Sequence, residues 1–398
     1  MSEEKALNLF GKTPRTTRRE AGILPSQEIE GLIRNGKIRS PVEISDDQIQ
    51  PASLDLRLAE KAHRVVASFL PSDDSLIGPK IRDLQLEEID LNQPTVLQPG
   101  SVYIARVVEF LDLPPDMGGK ANPKSTTGRL DLFTRLLTEH QPTFEVVPNG
   151  YSGELYVEIF PRTFPVVVKT GTKLNQLRFF RGDTQSSDEQ LRKLAQKRPI
   201  VFENGGSPNK PVIRQGLRVS LDLSSNDEVV AYKAKKTNIP IDLSKLAAYS
   251  VAEFWEPLSA QALKGKLVLK PDEFYLLASK EKIGVPPDCA AEMESYDPSI
   301  GEFTVHYAGF FDPGFGFGDN GEVKGTNAVL EVRAHELPIL LEDGREVGRL
   351  IYYKMAERPD KIYGAGIGSS YQQQRLALPK QFKIPAIANP SLLASTHI

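Results

Sequence analysis

One passage of this chain occurs twice, and each copy carries an acid at the same place. Glu158 is followed seven residues on by Pro165 and thirteen on by Gly171; Glu331 is followed at the same steps by Pro338 and Gly344. Two earlier landmarks keep the same order. Ala52-Ser53-Leu54-Asp55-Leu56 returns as Val219-Ser220-Leu221-Asp222-Leu223, and Leu113-Pro114-Pro115-Asp116 returns as Val285-Pro286-Pro287-Asp288. The offsets (52 to 219, 113 to 285, 158 to 331) are 167, 172 and 173 residues. A drift that small is what surface-loop insertions produce, so the repeat requires two like domains rather than a short-period solenoid.

A chain of 398 residues has room for two such domains, each with its own core. The expected division is an N-terminal extension at 1–23, a first domain at 24–183, a linker at 184–211, a second domain at 212–362 and a tail at 363–398. A net charge of -3 gives no general electrostatic reason to hold a nucleic-acid polymer or an acidic membrane, although a local basic site can hold a triphosphate. Cys289 is the only cysteine, which rules out an internal disulfide and any multi-cysteine metal site. With no apolar leader in the first residues and no run long enough to cross a bilayer, the expectation is a cytoplasmic protein.

Short β-branched or aromatic segments dominate, among them 101–110, 154–160, 165–168, 273–277, 303–307 and 328–332, punctuated by thirty Gly and thirty Pro. That pattern predicts a mainly β fold of barrels or jelly rolls with a few short helices, and disfavours a parallel α/β architecture. Helices are expected after Pro25-Ser26, ending near Gly36, and over 187–196.

Three groups of residues can carry chemistry. Lys124-Ser125-Thr126-Thr127-Gly128-Arg129 offers three hydroxyls, two cations and a glycine that admits close approach, which suits phosphate oxygens; read alone, it can equally be a solvated polar turn. It lacks the spacing of a Walker loop. Glu158 and Glu331 each interrupt an apolar strand, which suits a general base if they face inward and is unremarkable if they face solvent. The turns Asn149-Gly150-Tyr151-Ser152-Gly153 and Asp312-Pro313-Gly314-Phe315-Gly316, the second preceded by Ala308, lead into those strands; they are hairpin tips whose Tyr151 or Phe315 can stack on a base. The five histidines show no metal-ligand spacing.

Together these residues resemble the dCTP deaminases, relatives of the trimeric dUTPases. Ile49 to Leu58 looks like the family's opening signature, 124–129 like its phosphate and catalytic motif, 150–158 like its turn and glutamate, and Tyr363 through Tyr371 to Gln374 like the tail that folds over the nucleotide. The resemblance implies two tandem dUTPase-like distorted β-barrels. It also implies hydrolytic deamination of dCTP to dUTP and ammonia, with a glutamate in place of zinc to activate water. Magnesium is expected only as the counterion of the triphosphate. Ser125, Arg129 and a glutamate would be catalytic. Lys124, Thr126, Thr127, Gly128, Tyr151, Ser295, Ala308, Asp312, Phe315, Val329, Tyr363, Tyr371 and Gln374 would bind nucleotide. The zinc deaminases' His-x-Glu and Pro-Cys-x-x-Cys pattern is absent from this sequence.

Neither copy keeps the whole set. Repeat one has Ser125, Arg129 and Glu158 but Val147-Pro148-Asn149 where the family has Asp before Pro-Gly; repeat two has the hairpin, Ser295 and Glu331 but Ser299 where the Arg belongs, and an added Gly-rich stretch from Phe317 to Thr326. The expectation is therefore one composite site with Ser125 and Arg129 from repeat one and the hairpin and Glu331 from repeat two. Relatives that assemble as trimers imply a homo-oligomer, either a trimer or a pseudo-hexamer. Two other readings stay open: a dUTP diphosphatase or bifunctional enzyme, and a nucleotide-binding regulatory protein without turnover.

Overall fold

A computed structural model of the chain describes residues 20–72, 76–295, 303–304, 309–364, 371–372 and 374–383. Seven strands recur in each repeat. In repeat one they are β1 (Leu54–Val65), β2 (Val102–Asp112), β3 (Met117–Pro123), β4 (Leu132–Thr138), β5 (Val146–Val147), β6 (Ser152–Pro161) and β7 (Lys173–Arg181). In repeat two they are β8 (Leu217–Asp222), β9 (Phe274–Ile283), β10 (Cys289–Ser295), β11 (Phe303–Thr304), β12 (Phe310–Phe311), β13 (Thr326–Ala334) and β14 (Glu346–Lys354). The first set is ordered β4-β6-β2-β1-β7-β3-β5 and the second β11-β13-β9-β8-β14-β10-β12, so adding seven to each label turns one sheet into the other. These pairs are antiparallel, and helices are few and short. The mainly β pair of barrel-like units expected from the repeat is the fold observed.

Local signals place the helices. Asp188–Lys197 starts where Ser187 accepts from the Gln190 backbone and Gln190 reaches back, a reciprocal cap. Ser26–Arg34 differs in detail from the expectation: extended Pro25 occupies the cap position and Ser26 is the first helical residue. Fixed proline geometry suits the entry to a helix, so the start signal was read one residue late.

The register sets the two glutamates in equivalent places and then treats them differently. Glu158 on β6 lies opposite Ile104 and Arg135, and Glu331 on β13 lies opposite Leu276, the counterpart of Ile104. In repeat one this face is closed from within. Ile77 and Ile81 of the helix Ile77–Leu84 pack there with Val65, Ile104 and Leu137. In repeat two the equivalent face, Phe274 and Leu276 with Val329 against them, joins the core of repeat one together with Phe254, at the end of the short helix Val251–Phe254, and Trp255. The strand Ile241–Asp242 crosses over as well, pairing in parallel with Val166–Val168.

Ion pairs between the repeats fix their mutual orientation. Arg178 of β7 donates to the Ala291 carbonyl at 3.1 Å and to Asp312 at 3.1 Å, with its guanidinium over the Phe310 ring. Arg333 of β13 pairs with buried Asp131, which also accepts from the Thr163 hydroxyl. Asp131 holds a left-handed φ of 53°, a conformation unfavourable for a residue with a side chain, and its ion pair accompanies that strain at the boundary. Such pairs contribute orientation more than net stability, because desolvation offsets most of their attraction.

The described part of the tail, up to residue 383, ends in an anchor. Phe382, 3% exposed, packs among Tyr249, Phe254 and Trp255, with ring centroids 5.3 Å from Phe254 and 6.0 Å from Trp255. Burial of one such ring contributes about 2–3 kcal/mol, enough to hold the preceding residues across both repeats.

Candidate active site

A cavity of about 610 Å³ lies where repeat one, repeat two and the tail meet. Its first wall begins after β3 ends at Pro123. Lys124, in extended conformation, precedes a single helical turn, Ser125–Gly128, whose amides close back on Lys124 and Ser125. The Lys124 ammonium lies 2.5 Å from both oxygens of Asp55. Asp55 is held on β1 beside a buried network in which Arg57 pairs with Glu109 at 2.7 Å and Gln48 bonds both Glu109 and the Asp55 carbonyl. The opening signature thus supports the turn at 124–129 from behind.

Arg129 is buried and tied to the tail. It donates to the Gln374 side chain and to the Ala377 carbonyl, each at 2.9 Å, and stacks on the Tyr371 ring at 3.7 Å. The Tyr371 hydroxyl shares a 2.9 Å hydrogen bond with Thr126. A second tail residue, Gln372, clasps the opposite wall, accepting from the Gly316 amide at 2.9 Å and donating to the Gly314 carbonyl at 3.0 Å. The tail therefore bridges the motif of repeat one and the hairpin of repeat two.

That second wall is rigid for a steric reason. Gly316 has φ 58°, and a Cβ there would sit 1.9 Å from the Ile283 carbonyl, so only glycine allows this path. The turn places Phe311, Asp312 and Phe315 along the cavity. Burial pushes the Asp312 carboxyl up from its ordinary range, against the pull of Arg178.

Below the helical turn lies Glu331, 1% exposed. A Cβ added to Gly128 would stand 2.5 Å from each of its carboxylate oxygens, so the acid of repeat two packs directly on the turn that carries Ser125 and Arg129 of repeat one. Val329, one pleat along β13, lines the cavity above it. A buried carboxylate, a guanidinium, several hydroxyls, aromatic faces and a hairpin with backbone polar groups form a set suited to a polar nucleotide.

Comparison with known proteins decides the family. The family model of the 2'-deoxycytidine 5'-triphosphate deaminase (DCD) N-terminal domain matches residues 20–183, and that of the C-terminal domain matches residues 187–382. A crystal structure of 2'-deoxycytidine 5'-triphosphate deaminase from Agrobacterium tumefaciens is 46% identical, with a TM-score of 0.80, over 86% of this chain and 100% of that one. The chain belongs to the dCTP deaminase family. Single-repeat similarity extends to proteins named dCTP deaminase, dUMP-forming. One from Parafrankia sp. is 32% identical over 41% of this chain and 77% of its own, and one from Streptomyces coelicolor is 30% identical over 40% and 80%.

Within this dCTP deaminase family member, Lys124, Ser125, Thr126, Thr127, Arg129, Asp312, Phe315, Val329, Tyr363, Tyr371 and Gln374 all line the one cavity, with Gly128 and Glu331 in contact beside it. Glu158 does not join them. It is 2% exposed, but Arg135 takes its Oε1 at 2.5 and 3.0 Å while bonding Ser68 and stacking on Phe144, under the cover of helix Ile77–Leu84. Tyr151 is also elsewhere: rather than capping a hairpin over a base, it turns into the repeat-one core and its hydroxyl donates to the Glu154 carbonyl at 2.5 Å. Ser295 ends β10, but its side chain, like Ala308 and Ser299, lies outside the described residues.

Several cavity residues were not singled out from sequence: Asp55, Gln176, Phe310, the turn from Lys169 to Lys173, Ser244 and Lys380. Asp55 stood inside a quoted landmark and Lys169 and Gly171 inside the repeated passage, where their recurrence read as fold. Lys380 carried no signal, since only the tail's return across both repeats brings it here. Among the described residues no group of three or more His, Cys, Asp or Glu converges to hold a metal, and no helix is long and apolar enough to cross a membrane.

Proposed function

We propose that this chain deaminates dCTP hydrolytically, yielding dUTP and ammonia, at a composite site completed within one chain. The observation that carries the reading is the contact of Glu331 with Gly128, which joins the acid of one repeat to the Ser125 and Arg129 motif of the other. Water attacks C4 of cytosine as Glu331 accepts its proton. The carboxyl passes that proton to N3, then takes the second proton from the C4 hydroxyl and delivers it to the amine, so that water's oxygen stays as the carbonyl and ammonia leaves. Reach to the proton being moved is the first requirement of a general base, and a carboxylate fixed by burial against the turn that lines the cavity can act without reorganisation. Ser125 orients the attacking water, and Arg129 holds Tyr371, Gln374 and Ala377 over the bound nucleotide.

Magnesium enters this reading as the triphosphate's counterion. Asp47 and Asp55 line the cavity but are engaged by Lys173 at 2.6 Å and Lys124 at 2.5 Å, a set that fits a metal held chiefly by phosphates and water. The same two pairings support dUTP as the end product, since neither carboxylate is presented as a base toward phosphorus. A trimeric or pseudo-hexameric assembly belongs to the proposal too, although the cavity needs no second chain to supply the residues named above.

A second reading, release of dUMP and pyrophosphate, is favoured by the names of the single-repeat relatives. The likeness to the Agrobacterium protein spans both repeats and weighs more. Incubation of the purified protein with dCTP and magnesium is expected to yield ammonia and dUTP in equal amounts without pyrophosphate. Stoichiometric pyrophosphate would establish the second reading; neither product would overturn both.

A further inference from the structure

At one end of the cavity the lysines outnumber their acid partners. Lys124 is matched by Asp55 and Lys173 by Asp47. Lys169 and Lys380 line the same cavity and have no acid partner within salt-bridge distance among the described residues. Lys380 is brought there by the anchored end of the tail. Its carbonyl accepts from the Ala247 amide at 3.0 Å, the next carbonyl accepts from Ala248 at 2.8 Å, and Phe382 is locked in the aromatic cluster. Burial and then Lys124 push the Lys380 ammonium below its ordinary range, against the pull of Asp55.

The turn from Lys169 to Lys173 adds hydroxyl donors to these cations. Gly171 bends it with φ 83°, and nothing lies within 4 Å of a Cβ placed there, so the crest is open to a ligand. The Thr172 hydroxyl accepts from the Lys169 amide at 3.0 Å, which leaves its proton to donate. The Thr170 hydroxyl is buried and has no hydrogen-bond partner among the described residues. Ammonium groups and hydroxyl donors around an open turn, beside the phosphate motif yet separate from it, match the most distal and most highly charged group of a nucleoside triphosphate.

We infer that Lys380, with Lys169 and Thr172, forms the subsite for the terminal phosphate of the substrate and makes the enzyme discriminate triphosphates from diphosphates. The inference rests on the reading of the cavity as the nucleotide site. Because Lys380 is anchored through Phe382, this contact is preformed, and it acts on binding rather than on the chemical step.

Steady-state kinetics of Lys380→Met on dCTP and dCDP test it. KM for dCTP is expected to rise about tenfold with kcat within about twofold, while kcat/KM for dCDP, which lacks the terminal phosphate, stays put; the preference for dCTP over dCDP then falls about tenfold. Lys380→Arg should restore most of the preference. An equal loss for both nucleotides would show a structural role, and an unchanged preference would remove Lys380 from the subsite; either overturns the inference while the deaminase reading stands. Absence of dCTP turnover by the unsubstituted protein would overturn both.

Discussion

Glu331→Gln is expected to lower kcat for dCTP about 10²–10⁴-fold, the range over which a positioned general base contributes, while dCTP binding is kept. Glutamine preserves the shape of the side chain and its packing on Gly128 but cannot accept the proton from water. The matching change at the other copy, Glu158→Gln, is expected to leave kcat within about threefold and instead to lower stability by about 1–3 kcal/mol, because Arg135 loses its charged partner in a largely enclosed setting. Turnover and thermal unfolding of the two variants, measured side by side, separate the roles. Loss of turnover at Glu158 alone would sink the composite site.

Gly128→Ala is the second large effect. The turn has ordinary helical backbone, and alanine favours a helix over glycine by about 1 kcal/mol, so local conformation does not oppose the change. Space does. The new methyl would lie 2.5 Å from both oxygens of Glu331, far inside contact distance, so the carboxylate at the end of that side chain has to shift. A displacement of about 1 Å at a catalytic group costs about 10²-fold in rate, so kcat should fall by that factor with the melting temperature little changed. An active Gly128→Ala variant would mean that the carboxylate need not stay where the turn now holds it.

Both expectations come from a division of labour that was partly legible in the sequence. The repeat could be read because its landmarks are short rigid signals, Pro-Pro-Asp and Ser-Leu-Asp-Leu, that survive while loops drift. Ser-Leu-Asp-Leu falls on β1 and β8, and Pro-Pro-Asp forms the turns between β2 and β3 and between β9 and β10, in sheets of the same strand order. The composite arrangement could be anticipated from what each copy lacks. What sequence could not reveal is why the copies differ. Glu158 is engaged because Arg135 lies opposite it across a strand register and Phe144 lies over that guanidinium, contacts set by tertiary packing rather than spacing. The equivalent face of repeat two packs into the core of repeat one along with Phe254 and Trp255, and Glu331 lies against Gly128 of repeat one.

Tyr151 shows the opposite error. A tyrosine at a turn invites the idea of base stacking, yet a neighbouring carbonyl and an apolar core offer both ends of the side chain better partners inside. Lys380 and the turn from Lys169 to Lys173 were silent because their meaning depends on two distant segments meeting. The buried pairs Arg333 with Asp131 and Arg178 with Asp312 belong to the same class, since each joins one repeat to the other.

The central claim is that one chain completes its own site from both repeats. Co-expression of Arg129→Ala chains with Glu331→Gln chains, followed by assay of the mixed protein for ammonia release from dCTP, tests it most directly. If Arg129 and Glu331 serve the same site within one chain, every chain in the mixture carries a broken site and the rate stays at the sum of the two single variants. Recovery well above that sum would place the two residues on different chains and contradict the account.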